Sequence, residues 1–394
     1  MNIHFTTFIT DLNIFMQIIK MRTRLILAIL IGLSFLSQAQ SNLNNTPLSN
    51  GNDSQRTNLQ IPNIPGFITL TGDFHSHTIF SDGEVWPTVR ILEAWQEGLD
   101  VIAITDHLEY KPHKSYLQAD HNTSYEIAKI EAKKKDILLV KGSEITRSMP
   151  PGHLNALFIT DANALDKPDW KDAFQEVSNQ DALMIWNHPG WKAQQPDTTK
   201  LFDIHKELIA TKKISGIEVA NYTEWYPIAL DWCIKNHLAV FANSDIHEPI
   251  QQLFDLSKTH RPMTLLFVRE RSLEGVKEAI KAARTVAWFE NQLAGPEELL
   301  AKLVKESIKI GSPYYRTGDE ETDFKYFEVT NLSDFQFEFV NESKTNGAPK
   351  KFSLQPRKSI VLTIYKNEKS LKCTIVNIHT GVKSNLAVDL IPRH

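Results

Sequence analysis

Between Gly66 and Glu290 the chain alternates short apolar runs with longer segments whose apolar residues recur at helical spacing. Short apolar runs bounded by polar turns are typical of buried strands, and the longer periodic segments predict amphipathic helices. The predicted strands are Phe67–Asp73, Asp100–Thr105, Ile137–Gly142, Leu154–Thr160, Ala182–Trp186, Gly216–Ala220, Ala239–Asn243 and Met263–Val268. The predicted helices are Pro87–Glu97, Ser124–Lys135, Trp170–Ser178, Leu201–Leu208, Pro227–Lys235 and Ser272–Ala283. Strands separated by helices predict parallel pairing through crossovers, and about seven or eight strands favour a closed (β/α) barrel over an open sheet.

After Gly295 the pattern changes to one predicted helix, Glu297–Ile308, followed by short strands of alternating polarity. Polar turns such as Asn346-Gly347 separate these strands, which predicts a small β-rich domain, most simply a sandwich. This part holds no cluster of reactive side chains, so we assign it an accessory role.

The N-terminal part predicts export. Met21-Arg22-Thr23-Arg24 is basic, Leu25–Leu36 is apolar but short for a membrane span, and Ser37-Gln38-Ala39 offers small residues for cleavage. We therefore expect a signal peptide that starts at Met21, with residues 1–20 as an upstream extension, and an uncleaved membrane anchor is the alternative. Cleavage would leave a periplasmic or secreted protein that is not attached to the membrane.

The domain boundaries follow from these patterns. Residues 1–39 are the upstream extension and signal peptide, and 40–65 form a polar, flexible leader with few apolar residues. The barrel spans residues 66–295, and the accessory domain spans 296–394.

Composition limits the remaining classes of function. The 394-residue chain has a net charge of −4 and no long basic block, which argues against nucleic acid as an obligatory partner. The exported part holds two cysteines, Cys233 and Cys373, which permit one disulfide but make no disulfide framework. Cys233 lies in an apolar helical pattern and is expected to be a buried thiol.

Histidines and carboxylates cluster where the predicted strands end. His75 and His77 stand two apart after the first strand and therefore point to the same side, although a lone pair of this kind is often only two surface histidines. In a barrel the C-terminal strand ends form one face. Six of the fourteen histidines and three carboxylates fall there or, for His153, at the mouth of the fourth strand. The nine residues are His75, His77, Asp82, His107, Glu144, His153, His188, Asp245 and His247.

These motifs, in order HSH, Asp-Gly, TDH, a strand-end Glu, GH, NHP and SDIH, resemble the PHP (polymerase and histidinol phosphatase) family of metal-dependent phosphoesterases. The resemblance covers about residues 68–290 and implies a distorted (β/α)7 barrel of the PHP type, with a small C-terminal β-rich domain appended. It also implies two to three divalent ions, and nitrogen and oxygen ligands without thiolate suit Mn²⁺, Zn²⁺ or Fe²⁺. The implied sets are His75, His77, Glu144 and Asp245 for one ion, Glu144, His153 and His188 for another, and Asp82, His107 and His247 for a third.

The loop from Glu144 to His153, with the appended β domain, resembles an exported phosphodiesterase branch of the family. This resemblance implies an exported phosphodiesterase in which a metal-bound hydroxide attacks a small phosphate diester, with Glu144, Asp245 and His247 as the catalytic residues. A phosphomonoesterase acting on sugar phosphates or nucleotides is the alternative. A polymerase-associated or purely structural metal domain fits poorly with an export signal and a complete ligand set.

Three further residues are candidates near the site. Arg147 could contact phosphate oxygens or be an ordinary loop arginine, and Asn221 could line the substrate pocket. Asp106 could orient His107 or cap the turn that follows, and the sequence leaves both roles open.

Overall fold

The computed structural model describes residues 16–27, 55–317, 324–343, 348–365 and 368–392 of the chain. Two compact units are present, Met1–Gln55 and Arg56–His394. In the first, residues 16–27 form an exposed helix, α1, while residues 28–39 of the predicted signal peptide lie outside the described part. Over the described residues, no helix combines the length and apolar character that crossing a membrane requires.

The second unit begins with a mixed sheet of strands and helices that follows the predicted order closely. The strands are β1 (Ile68–Asp73), β2 (Val101–Ile104), β3 (Leu138–Ile145), β4 (Leu154–Leu157), β5 (Leu183–Trp186), β6 (Ile214–Asn221), β7 (Glu224–Trp225), β8 (Ala239–Asn243), β9 (Met263–Val268), β10 (Thr285–Phe289) and β11 (Gln292–Ala294). The helices are α2 (Pro87–Gln96), α3 (Thr123–Lys135), α4 (Trp170–Asn179), α5 (Asp203–Ala210), α6 (Pro227–Asn236), α7 (Ile250–Leu253) and α8 (Leu273–Lys281).

Strand pairing is only partly parallel. The pairs β1–β2, β2–β3, β5–β6 and β6–β8 are parallel, as the alternation of strands and helices predicted. The prediction is wrong at β4, which runs antiparallel to both β3 and β5, and at β9, which runs antiparallel to β1. The reason at β4 is chain length, because residues 146–153 are too few for a parallel crossover, which needs about a dozen residues or more.

The ends of the sheet approach each other between β1 and β8. Just beyond the strands, Ser76 and Ile246 form a parallel bridge, and the Asp245 amide donates to the His75 carbonyl oxygen at 2.8 Å. Beside this seam between β1 and β8, the Ala242 amide on β8 donates to the hydroxyl of Thr264 on β9 at 3.0 Å. Seven strands, β1 to β6 and β8, therefore approach a distorted barrel. The gap between β1 and β8 is spanned by side chains and one bridge, without a continuous ladder of backbone hydrogen bonds.

The barrel interior is apolar, which explains why strands such as β2 and β5 are buried along their whole length. Phe74 and Phe241 meet there edge to face, with ring centroids 5.4 Å apart, and both are fully buried. Burial of each ring contributes about 2–3 kcal/mol, so the core holds the strand ends, and the loops that follow them, in fixed positions.

The chain continues through α9 (Glu297–Ser307) into strands β12 (Ile308–Ile310), β13 (Tyr315–Thr317), β14 (Phe324–Asn331), β15 (Phe337–Asn341), β16 (Lys351–Leu354), β17 (Ser359–Tyr365), β18 (Leu371–Gly381) and β19 (Ser384–Leu390). Strands β12, β13, β14 and β17 form one antiparallel sheet. Strands β15, β16, β18 and β19 extend the barrel sheet, because β18 pairs with β11. The C-terminal part is mostly β, as predicted.

Part of the expected flexible leader is in contact with the rest of the unit. The Gln60 amide donates to Asp334 Oδ2 at 2.8 Å, and Ile64 is 2% exposed. Residues 56–65 are therefore held in place, while residues 40–54 lie outside the described part.

Both cysteines are free and buried. Burial raises the pKa of the Cys373 thiol to about 12, and burial raises that of Cys233 as well. The expectation of a buried Cys233 thiol is confirmed.

Candidate metal centre

The loops at one rim of the barrel bring together all nine residues that the sequence predicted as ligands. His75, His77 and Asp82 follow β1, His107 follows β2, Glu144 lies on β3, His153 precedes β4, His188 follows β5, and Asp245 and His247 follow β8. His153 precedes its strand yet reaches the same rim because β4 runs antiparallel to its neighbours. The direction of β4 thus explains why His153 is the one ligand that does not follow the C-terminal end of a strand.

Glu144 lies at the centre of this cluster and is fully buried. Its Oε1 lies 3.1 Å from His153 Nδ1 and 3.6 Å from His188 Nε2. Its Oε2 lies 3.5 Å from His75 Nε2 and 3.6 Å from His77 Nε2. Because the two oxygens face different imidazoles, the carboxylate has the geometry of a bridge between two ions.

Asp245 completes the first predicted set. Its Oδ1 lies 3.1 Å from His75 Nε2 and 3.0 Å from His77 Nε2, on the same side as Glu144 Oε2. Asn187, which the sequence analysis did not single out, donates from Nδ2 to Glu144 Oε1 at 2.9 Å and so orients that carboxylate.

The third predicted set gathers around Asp82. Its Oδ1 lies 3.5 Å from His107 Nε2 and 3.3 Å from His247 Nε2. His77 Nδ1 is 3.9 Å from the same oxygen, so this imidazole stands between the first and third sets. His107 also reaches Glu144, with Nδ1 2.7 Å from Oε2.

The cluster fits divalent ions on the evidence of its own atoms. His75 Nε2, Asp82 Oδ1 and Glu144 Oε2 are buried, and the ring nitrogens and carboxylate oxygens nearest to them are not oriented for a hydrogen bond. A buried polar atom left without a partner costs about 1–3 kcal/mol, so lone pairs that converge in this way favour a bound cation. Imidazole and carboxylate ligands without thiolate match Zn²⁺, Mn²⁺ or Fe²⁺.

The surroundings of Glu144 and His77 favour the protonation states that bind metal. Burial opposes ionisation of Glu144, but His107 and His75 hold the pKa of its carboxyl well below its usual range. Burial, together with neighbouring His247 and His107, lowers the pKa of His77 to about 3. Glu144 is therefore an anion and His77 is neutral near neutral pH, as metal ligands must be.

The pKa of His107 shifts in the opposite direction to that of His77. Burial disfavours its charged form, but Glu144 and Asp82 raise its pKa to about 11. A cation that binds between these carboxylates therefore replaces a proton on the imidazole, so metal binding is coupled to proton release.

Glu218, which the sequence analysis missed, supports the cluster from β6 and is fully buried. Its Oε1 accepts from His75 Nδ1 at 2.9 Å and from Asn243 Nδ2 at 2.8 Å. Its Oε2 accepts from the His188 amide at 2.7 Å and from Asn221 Nδ2 at 2.8 Å. Because the carboxylate accepts a hydrogen bond from Nδ1–H, the Nε2 lone pair of His75 faces the cluster. A charged residue inside an otherwise apolar strand was the available signal.

Asp106 has neither of the two roles that the sequence left open, because its side chain bonds to the loop after β1 and not to His107 or to the turn that follows Asp106. Its Oδ1 accepts from the Thr78 amide at 2.7 Å and from Ser81 Oγ at 2.9 Å. It therefore fixes the loop that carries Asp82, and makes no hydrogen bond to His107 among the described contacts.

The two residues predicted to contact the substrate differ in their position relative to the cleft. Arg147 does not line the cleft, because its guanidinium lies 2.9 Å from Glu109 Oε1 and donates to the Lys167 carbonyl oxygen at 2.6 Å. The structure therefore gives Arg147 a loop-holding role and no contact with the cleft. Asn221 does line the cleft, although its amide also donates to Glu218.

The cluster opens into a cleft of about 550 Å³. Five carboxylates line it, and no lysine or arginine is found among the described residues that do so. The five are Asp82, Glu144, Glu224, Asp245 and Glu248. A phosphate anion would be repelled by such a surface unless cations offset the charge, so the cleft itself requires bound cations for an anionic ligand.

Arg90 on α2 holds two of the ligand loops together and is fully buried. Its Nε donates to the His77 carbonyl oxygen at 2.8 Å, and Nη1 donates to Glu93 Oε2 at 2.7 Å. The remaining donors reach three backbone oxygens of the loop after β8, those of Ile246, His247 and Glu248. All five N–H groups of the guanidinium are therefore used, and one side chain joins the loops after β1 and β8.

Comparison with known proteins identifies relatives of both parts of the second unit. A family model described as an Ig-like domain matches residues 308–391, in the β-rich C-terminal part. An uncharacterised protein of Methanocaldococcus jannaschii is 40% identical over 192 residues, which cover 45% of this chain and 81% of that protein.

A crystal structure from Bacteroides vulgatus covers both parts of the second unit. It is described as a two-domain protein containing a predicted PHP-like metal-dependent phosphoesterase. It is 40% identical in sequence, with a TM-score of 0.81, and the match covers 86% of this chain and 99% of that one. Together with the convergence of the seven motifs on one rim, this similarity shows that the chain belongs to the PHP-like family of metal-dependent phosphoesterases.

Proposed function

We propose that this protein is an exported metal-dependent phosphodiesterase that hydrolyses small phosphate diesters. Membership of the family supports metal-dependent hydrolysis of a phosphate ester, and the nine converging ligands support two to three divalent ions. Bound ions of this kind lower the pKa of a coordinated water and offset charge on the phosphate oxygens.

The chain's own residues set the geometry for this reaction. Glu144, held by Asn187, places one carboxylate oxygen toward each of two histidine pairs. His247 donates from Nδ1 to the Asp245 carbonyl oxygen at 2.8 Å, which leaves the Nε2 lone pair free. Its side chain is 32% exposed, more than any other imidazole of the cluster, so His247 lies nearest to the space where a substrate enters.

The observation that favours a diester is the absence of cationic side chains from the described lining of the cleft. A phosphate monoester carries close to two negative charges near neutral pH, whereas a diester carries one. Enzymes that bind the second charge commonly use arginine or lysine, and Arg147, which the sequence suggested as a phosphate contact, is bound to Glu109. The cleft therefore matches the singly charged ester better.

We expect the metal-stripped protein, refilled with Mn²⁺, Zn²⁺ or Fe²⁺, to cleave bis(p-nitrophenyl) phosphate with a higher kcat/KM than p-nitrophenyl phosphate. The shared leaving group keeps the chemistry similar, so the ratio reports mainly the charge and the second substituent. Steady-state release of p-nitrophenolate measures both reactions, and a clear preference for the monoester would favour a phosphatase.

Export is the second part of the proposal. It rests on the segment Met21 to Ala39, in which a basic stretch is followed by an apolar run and then by small residues. We expect the mature protein to begin at Gln40 or a nearby residue. Mass spectrometry of the N-terminal peptide from the native organism measures this, and a mature chain that retains Met1 or Met21 would contradict it.

A further inference from the structure

Two carboxylates in the cleft belong to none of the predicted ligand sets. Glu224 accepts a hydrogen bond from Tyr226 Oη at 2.6 Å through Oε2, and Glu248 accepts one from Tyr222 Oη at 2.9 Å through Oε1. Each tyrosine fixes one oxygen, and the other oxygen accepts no hydrogen bond from a described residue. Both residues line the same cleft as the metal cluster.

The charge balance of the cleft distinguishes these two carboxylates from the three ligand carboxylates. Bound ions would offset the three ligand carboxylates, whereas Glu224 and Glu248 belong to no ligand set and have no lysine or arginine among the described lining residues. Deeper in the same cleft, Oε2 of the fully buried Glu144 makes no well-oriented hydrogen bond with a described residue, which marks the cleft as a built site for a ligand. Glu224 and Glu248 therefore add two carboxylates to the cleft that no ligand set uses.

The same cleft also presents aromatic side chains. Trp191 is 41% exposed and packs against His188 and His153, with ring centroids 5.3 and 5.7 Å away. Tyr222 lines the cleft beside the two carboxylates. Carboxylates together with exposed aromatic rings are the groups that recognise an ammonium ion, through ion pairing and cation–π attraction.

We propose that the preferred substrates are phosphate diesters whose second substituent carries an ammonium group, as in esters of amino alcohols. This inference rests on the proposed phosphodiesterase function and adds the chemistry of the substituent. The reaction is ordinary hydrolysis: the oxygen of water bonds to phosphorus, the bond to one ester oxygen breaks, and the departing oxygen leaves as an anion or takes a proton. Glu224 and Glu248 recognise the substituent, and the metal cluster holds the phosphate.

The test compares two substrates that differ in one atom and its charge, p-nitrophenyl phosphorylcholine and p-nitrophenyl 3,3-dimethylbutyl phosphate. The leaving group and shape are the same, so the ratio of kcat/KM isolates the positive charge. With the metal-loaded full chain we expect the choline ester to be favoured by about tenfold, and the preference to shrink as salt is added. Calorimetry with choline and 3,3-dimethylbutan-1-ol gives a readout that needs no turnover, and choline is expected to bind more tightly.

Variants assign the effect to residues. Glu224→Gln and Glu248→Gln keep the hydrogen-bond acceptors for their tyrosines but remove the charge, so each should lower the preference, and the double variant should bring it close to one. Glu207→Gln, an exposed residue of α5, makes the same change in net charge outside the cleft and should leave the preference unchanged.

The outcomes separate this inference from the proposed function. Equal kcat/KM for the two esters overturns the ammonium preference while phosphodiesterase activity stands. A preference that persists in the double variant overturns the assignment to Glu224 and Glu248. No hydrolysis of either ester or of bis(p-nitrophenyl) phosphate by the metal-loaded chain overturns the phosphodiesterase proposal, and the inference with it.

Discussion

Replacing Glu144 with alanine is expected to lower turnover of bis(p-nitrophenyl) phosphate by about a thousandfold and to release at least one ion per chain. The cause is the position of the carboxylate, whose two oxygens face His75 and His77 on one side and His153 and His188 on the other. Its loss removes a shared ligand from two sets at once. Elemental analysis after full reconstitution measures the ions, and we expect two to three per chain in the parent protein.

A matched control separates loss of the bridge from loss of any nearby negative charge. Glu109 lies close to the same loop but pairs with Arg147, and it is not among the residues that line the cleft. Glu109→Gln should therefore keep its ions and most of its activity. If Glu144→Ala retained the parent's metal content and rate, Glu144 could not be the bridging ligand.

The candidate site could be predicted well because its signal is local. A histidine or carboxylate at the end of an apolar run is visible in the sequence, and the core fixes the direction in which the strand end points. The convergence of such residues on one rim could therefore be predicted from the sequence. The resemblance to the family supplied the grouping of His75, His77, Glu144 and Asp245, which lie together in the structure. The supporting residue Glu218 escaped because its role depends on four partners that the sequence does not place side by side.

Strand direction and side-chain orientation were harder to predict. The run at Leu154 has the composition of any buried strand, and only the short connection that precedes it indicates that β4 returns antiparallel. Arg147 follows Glu144 by three residues and is a reasonable phosphate contact from the sequence. The structure pairs it with Glu109, because an ion pair between two loops depends on tertiary contacts that local pattern does not encode.

Arg90, like Glu218, supports the cluster in a way that the sequence does not reveal. Its replacement is expected to have the largest effect on the free energy of unfolding. Arg90→Met should lower the free energy of unfolding by about 3–5 kcal/mol, because it leaves Glu93 as a buried charge without its partner. It also removes the donors to the His77 carbonyl oxygen and to the loop after β8. Urea unfolding, followed by circular dichroism on metal-free protein, measures the change.

Two further variants make the prediction specific. Arg90→Lys keeps the charge but offers three donors in place of five, so its loss should fall between those of Arg90→Met and the parent. Arg269, whose side chain is 67% exposed and pairs with Glu278, is the matched surface arginine, and Arg269→Met should change stability by less than about 1 kcal/mol. An Arg90→Met protein as stable as the Arg269→Met protein would contradict the role of Arg90. Because the donors of Arg90 hold the loops that carry His77 and His247, Arg90→Lys should also bind metal more weakly than the parent while still folding.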